Sequence, residues 1–285
     1  MEVDEIRQRR SAILRTLTIP PASAASEQLL ELIMDDDIDL PSLAQAIQSE
    51  PGITARIVSI ANSAFFSSPS TIHTVEQAMV KVLGIQTVRS LCMGMLMGPR
   101  FNTRACPEFS LKDYWCRALA VAQSSSMLAK CVPAIDVNSV YLAALLHSIG
   151  QLLQVHHFPK EMNQLLPQFE THNNKTRLIQ ERELLGIDSC EAGNWLAKRW
   201  HLPLETIFAI SNFQDPDYKG DHWQVARIIG FVVRFFEAED EMTLESDKVF
   251  EALDIPPDKM QALQENFTDI ESSVAVLADF LIQHE

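Results

Sequence analysis

The side chains best able to do chemistry in this chain are its eight histidines and five cysteines. His147 stands in Tyr141-Leu-Ala-Ala-Leu-Leu-His-Ser-Ile-Gly150, an apolar stretch. An imidazole there serves as a metal ligand or general base if further donors converge on it. The alternative, and the commoner fate on an apolar helix, is a buried ring that donates to a backbone carbonyl. His156-His157 offers two imidazoles together, but adjacent helical residues point about 100° apart. No other histidine stands three or four residues away to join them, so an exposed helix end is expected. Cys92, Cys106, Cys116, Cys131 and Cys190 are odd in number and form no Cys-x-x-Cys, the usage of reduced cytoplasmic thiols packed in a core. The chain has no glycine-rich phosphate loop, no Gly-x-Ser-x-Gly and no His-Glu-x-x-His, and nothing places a base beside a Ser or Cys nucleophile.

The elements that must position these groups are helices. Ile53, Ile57, Ile60, Ala61 and Ala64 recur at three- and four-residue intervals and predict one buried stripe, with Pro51 in a first turn. Similar stripes run through Leu29 to Met34, Leu43 to Ile47 and Val75 to Leu83; Gly84 stops the last, and Ile85 to Met97 starts another. Met93, Met95 and Met97 are expected to fill the core, and Trp195 and Trp200 to pack in the core or between the lobes. No segment alternates at period two for long enough to argue a sheet, and no solenoid repeat is visible. The fold class expected is all-α, as two packed helical lobes. The aperiodic Gly98 to Ser110 stretch is the expected junction, which divides the chain into residues 1–105 and 106–285, the second including the C-terminal helices. Trp223 to Phe236 reads as a strongly apolar helix and Asp258 to Glu285 as an amphipathic helix or helix pair, while the acidic run from Glu237 to Glu251 reads as a solvated face.

Ser49-Glu-Pro-Gly-Ile-Thr-Ala-Arg-Ile-Val-Ser-Ile-Ala-Asn-Ser-Ala-Phe-Phe66, continued by Ile72-His-Thr-Val-Glu-Gln-Ala-Met-Val-Lys-Val-Leu-Gly84, resembles the N-terminal signature of the HDOD family. Asn62, Ser63, Phe65 and Gly84 carry the structural part of that signature, with Asn62-Ser63 as a cap or an interlobe hydrogen-bonding corner. Tyr141 to Gly150 resembles the helix that bears the His-Asp doublet of the wider HD superfamily, and Glu183 to Gly193 and Trp195 to Pro203 resemble the next two elements. The likeness runs over roughly residues 15 to 214. It implies an N-terminal helical lobe packed on an HD-like lobe, in a bacterial protein of signalling and regulation.

The resemblance also says which metal ligands to look for. An HD phosphohydrolase uses a metal to polarise phosphate oxygen and to make hydroxide from bound water. Carried over position by position, the first histidine falls on Arg117, the His-Asp doublet on His147-Ser148, the next histidine on Ser189 and the later His-His pair on Asn212-Phe213. The final aspartate has no counterpart in Val225 to Phe236. His147 alone survives, and one imidazole beside a serine lacks the ligand number and the negative charge to hold a divalent ion. The expectation is no catalytic residue, no metal and no cofactor. Arg117 and His147 could instead form an anion pocket for a phosphate, nucleotide or carboxylate, which makes a ligand sensor the alternative to an interaction protein; metal-dependent phosphohydrolysis comes third. If the vacant site is purely structural, an internal acid must satisfy Arg117, and Glu191 is the candidate.

Bulk properties narrow the partner. With 38 acidic and 23 basic residues the formal net charge is −15. Arg7, Arg9 and Arg10 form the only tight basic cluster, so phosphate backbones and anionic membrane surfaces are repelled. The first residues, Met1-Glu-Val-Asp-Glu-Ile-Arg, carry no secretory h-region, and apolar runs stop short of a bilayer span. A cytoplasmic protein that binds a protein partner of a bacterial signalling pathway, rather than nucleic acid or membrane, is expected.

Overall fold

The computed structural model describes residues 10–19, 21, 23–35, 37–63, 66, 70–133, 135–169, 174–237 and 248–282. Among them every regular element is helical and none is a strand, as the periodicity requires. After a helical stretch at residues 10–16 come α1 (Ala24–Met34), α2 (Leu40–Gln48), α3 (Pro51–Ala61), α4 (Val75–Ala78) and α5 (Ile85–Met97). Next are α6 (Leu111–Ala129), α7 (Val137–Leu145), α8 (Ile149–His157), α9 (Pro159–Phe169), α10 (Asn174–Leu185) and α11 (Ser189–Arg199). The series closes with α12 (Leu204–Asn212), α13 (Trp223–Glu237), the short α14 (Val249–Ala252) and α15 (Asp258–Ile282). None of the described helices is long and apolar enough to cross a membrane.

The first helices bury the stripes their spacing predicts. Leu29, Leu30 and Ile33 on α1, Leu43, Ala44 and Ile47 on α2, and Ile53, Ile57, Ile60 and Ala61 on α3 all face one core. Ser23 and Asp39 start α1 and α2 by accepting the Ser26 and Ser42 backbone N–H groups, which would otherwise be orphaned in the first turn. Asn62 ends α3 and clips the chain that follows. Its Nδ2 donates to the Val58 and Ile72 carbonyls at 2.9 and 2.8 Å, and its Oδ1 accepts the Ile72 N–H at 2.8 Å. The Asn62 corner therefore closes a loop on its own helix rather than bridging lobes. Phe65 lies outside the described residues. The Val75 to Leu83 stripe is α4 widened into a π turn over Met79–Leu83. Gly84 follows at φ 79°; a Cβ there meets nothing within 4 Å, so the dihedral and not space demands glycine.

α6 is the axis of the molecule, with α7, α13 and α15 packed along it. Trp115 on α6 is wholly buried against Gly94 and Gly98, where a Cβ on Gly98 would come within 2.7 Å of the ring. Met93, Met95 and Met97 are buried, as is Trp200. α15 is one continuous helix, and it returns far enough along the chain for the Phe280 carbonyl to accept from Arg56 of α3 at 3.4 Å. The Gly98 to Ser110 stretch holds one 3₁₀ turn, Gly98–Arg100, and buries Phe101 and Cys106. It is fastened to later helices: the Asn102 N–H donates to His156 Nδ1 at 2.9 Å and the Glu108 N–H to Asn163 Oδ1 at 3.0 Å. His157 Nε2 lies 3.0 Å from the Thr18 carbonyl. The two histidines are thus half-buried anchors at the end of α8, not the exposed pair expected, because the chain before α1 and the chain after α5 both cross that helix end.

Candidate functional site

His147 is not on a continuous helix. α7 ends at Leu145, residues 146–148 form a turn, and α8 begins at Ile149. The cause is local. His147 Nδ1 sits 2.6 Å from the Ala144 carbonyl, the group that an unbroken helix would offer to the Ser148 N–H. A carbonyl can only accept, so Nδ1 carries the proton and Nε2 is the acceptor of a neutral ring. The edge of the Phe213 ring, from the end of α12, closes one side at 5.1 Å between centroids. Burial pushes the His147 pKa down to about 4; the Ala144 carbonyl opposes this, and the Arg117 cation adds to it.

This turn opens onto a cavity of about 340 Å³. α6 contributes Tyr114 and Arg117, α10 contributes Arg177 and Glu181, Ser189 comes from the start of α11 and Glu237 from the last turn of α13. Five of the six positions that the resemblance assigns to lost metal ligands meet here: Arg117, His147, Ser148, Ser189 and Phe213. Asn212 does not line the cavity; its amide donates back to the Phe208 carbonyl at 2.7 Å, along its own helix. Buried Tyr114 has its hydroxyl toward Ser148, and burial raises its pKa.

Three further residues carry charge into the cavity, Glu181, Arg177 and Glu237. Glu237, expected to open a solvated acidic run, is instead only 15% exposed, and residues 238–247 of that run lie outside the described residues. Glu181 is 3% exposed. Its Oε2 accepts the Ser189 N–H at 2.5 Å and the Gln154 amide at 3.2 Å, yet burial outweighs both and pushes the carboxyl up to about 7. Arg117 and Arg177 both place Nη1 on Oε1 of Glu237, at 2.7 and 2.8 Å. Arg177 also donates to the Phe169 carbonyl. The internal acid expected for Arg117 is therefore Glu237 and not Glu191. Glu191 is held elsewhere, in a capping box with Asp188 at the start of α11 and in an ion pair with Arg10 at 3.0 Å. Arg117 is also no buried cation, since its side chain is 51% exposed. A signal for Glu181 was present: it stands three residues after Leu178 and four before Leu185, on the narrow apolar stripe of an otherwise polar helix. Nothing local marks Arg177 or Glu237.

The donor set does not suit a divalent catalytic metal. Hydroxyls of Ser148 and Ser189 stand at positions where the resemblance puts charged or imidazole ligands, and the permanent charge of Arg117 acts on the imidazole. Among the described residues no three His, Cys, Asp or Glu side chains come together as a ligand set. The site offers instead a neutral imidazole acceptor, a carboxyl that holds a proton near neutrality, and two guanidiniums on one carboxylate.

The same architecture occurs in solved structures. A protein from Marinobacter aquaeolei VT8, provisionally described as a signal transduction protein, superposes with a TM-score of 0.79 at 25% identity, over 98% of this chain and 66% of that one. This chain thus spans just under two thirds of the Marinobacter protein. A Geobacter sulfurreducens HDOD domain protein with unknown function gives 0.78 at 20% identity, over 96% and 99% of the two chains. A provisionally named phosphohydrolase from Shewanella amazonensis SB2B gives 0.76 at 21%, over 97% of each. At those two identities the likeness shows the fold alone. No curated protein matches the chain. The HDOD domain family model matches residues 19–216, more than half of the sequence, and the chain belongs to the HDOD family.

Proposed function

We propose that this protein is a non-catalytic regulator that acts in the cytoplasm by binding a protein partner of a bacterial signalling pathway. The observation that carries the reading is the set of side chains around His147: Ser148, Ser189 and Phe213 where an HD phosphohydrolase places ligands, and Arg117 opposite them. Lewis-acid activation of water needs several anionic or imidazole ligands on one ion, and this set cannot supply them. Residues 1–105 and 106–285 then act as two lobes of one unit. A net charge of −15 favours a protein surface over nucleic acid, and the cysteines, all free among the described residues, suit a reducing compartment. Elemental analysis of the purified full chain, paired with p-nitrophenyl phosphate hydrolysis in the presence of manganese, tests the central point. We expect less than about 0.1 mole of transition metal per chain and no turnover. Near-stoichiometric metal and turnover, both lost in His147→Ala, would refute the reading.

A further inference from the structure

His147 holds an acceptor that the described fold leaves unused. Its Nδ1 donates to the Ala144 carbonyl at 2.6 Å, which leaves the ring's lone pair on Nε2. The residue is 3% exposed and lines the cavity, yet Nε2 has no hydrogen-bond partner among the described residues. Glu181, on the same cavity, is placed alike. Its Oε2 accepts from Ser189 and Gln154, while Oε1 has no partner among the described residues. Buried polar groups are as a rule paired, and a ligand that pairs these is held by them. We propose that the cavity is the site of a small, flat, uncharged heterocycle of the cyclic-amide class, whose N–H is donated to His147 Nε2. This ligand site goes beyond the protein partner proposed above and does not depend on it.

The chemistry of the lining selects the ligand class. Burial moves both deep groups toward their neutral forms, His147 down to about 4 and Glu181 up to about 7, so the interior penalises charge of either sign. An anion would also meet Glu108, Asp113 and Glu237, and a cation would meet Arg117 and Arg177. An uncharged ligand avoids both. It must donate, because Nε2 only accepts. It gains if it also accepts, since a Glu181 carboxyl that keeps its proton to near neutrality can donate one, and the Ser148 and Ser189 hydroxyls can turn to either role. A cyclic amide carries an N–H beside a C=O on a rigid ring, so it offers both at little conformational cost. Phe109, Phe169 and Phe213, with Leu166 and Leu178, supply apolar wall for the ring. A volume of about 340 Å³ lies at the small end of organic-ligand sites and suits a body of one or two fused rings.

Isothermal titration of the full chain, in the presence of a chelator, with 2-pyridone and quinazolin-4-one tests the proposal. Their N-methyl derivatives are the controls, and benzoate and benzamidine serve as flat ligands of either charge. We expect saturable binding of at least one of the two lactams. Its N-methyl derivative keeps the ring and the carbonyl but leaves Nε2 unpaired, and should bind about tenfold more weakly or not at all. The nitrogen resonance of His147 Nε2 should move on addition of the lactam and stay in place with the N-methyl derivative. His147→Phe should abolish binding; if that variant fails to fold, the N-methyl contrast and the nitrogen shift decide the matter in the wild type. Failure of both lactams to bind overturns the proposal, as does an N-methyl derivative that binds as tightly as its parent. Tighter binding of benzoate or benzamidine than of the lactams overturns the uncharged class. Because the chelator removes any metal, this outcome is separate from that of the elemental analysis above, and either can fail alone.

Discussion

Glu181 and His147 lie on one cavity with opposite proton linkages, and Glu181→Gln and His147→Asn should separate them. The Glu181 carboxyl is raised from an ordinary 4.5 to about 7, chiefly by burial. Between those values the folded protein keeps a proton that the unfolded chain has lost. Its stabilisation is fully present below pH 4.5 and is lost as pH rises through 7. His147 is depressed from 6.5 to about 4, also by burial. Here the unfolded chain binds the proton first, so the stabilisation is present above pH 6.5 and is lost as pH falls through 4. Each tenfold change in proton affinity is worth about 1.4 kcal/mol, which puts both linkages on the order of 3 kcal/mol. In the wild type they nearly cancel between pH 4.5 and 6.5. Urea unfolding from pH 4 to 8, read as variant minus wild type, removes the background of other carboxylates. Glu181→Gln should gain stability relative to wild type as pH rises, by about 3 kcal/mol over the whole span. The His147→Asn variant, whose amide can still donate to the Ala144 carbonyl, should gain a similar amount as pH falls. A flat difference curve for Glu181→Gln, or one that declines as pH rises, would refute burial as the dominant influence on this carboxyl.

Two further substitutions probe the frame that holds the cavity. A Cβ on Gly150 would stand 1.9 Å from the Ser189 carbonyl and 2.5 Å from the Gly193 nitrogen, so α8 and α11 must move apart. Gly150→Ala should therefore cost about 3 kcal/mol or more despite alanine's better helix propensity, and a melting temperature equal to or above wild type would contradict the close crossing. Asn62→Ala removes the two hydrogen bonds that clip Ile72 to the end of α3, together with the one to the Val58 carbonyl, and leaves the Ile72 N–H without its acceptor. The expected loss in urea unfolding is about 2 kcal/mol, and a change within about 0.5 kcal/mol would show that the clip is replaced by water.

The sequence by itself determined the helical class, the positions of α1 to α5 and the residue types that flank His147. These are local properties. A stripe at three- and four-residue spacing can bury one face only as a helix, and a serine cannot take the place of a carboxylate or an imidazole whatever surrounds it. An apolar stretch around His147 implies a ring held by a backbone carbonyl, as observed, but not the break after Leu145. Tertiary structure alone decided the charges of the cavity. Glu191 was the candidate partner of Arg117, yet it is used up in capping α11. Glu237 takes the role from 120 residues away, together with Arg177, because the early turns of α6 and α10 meet the last turn of α13 at one opening. The same holds for Glu181, whose proton affinity comes from burial beneath Ser189 and Gln154. Desolvation depends on what the whole fold places around a group, and periodicity reports only which face is covered.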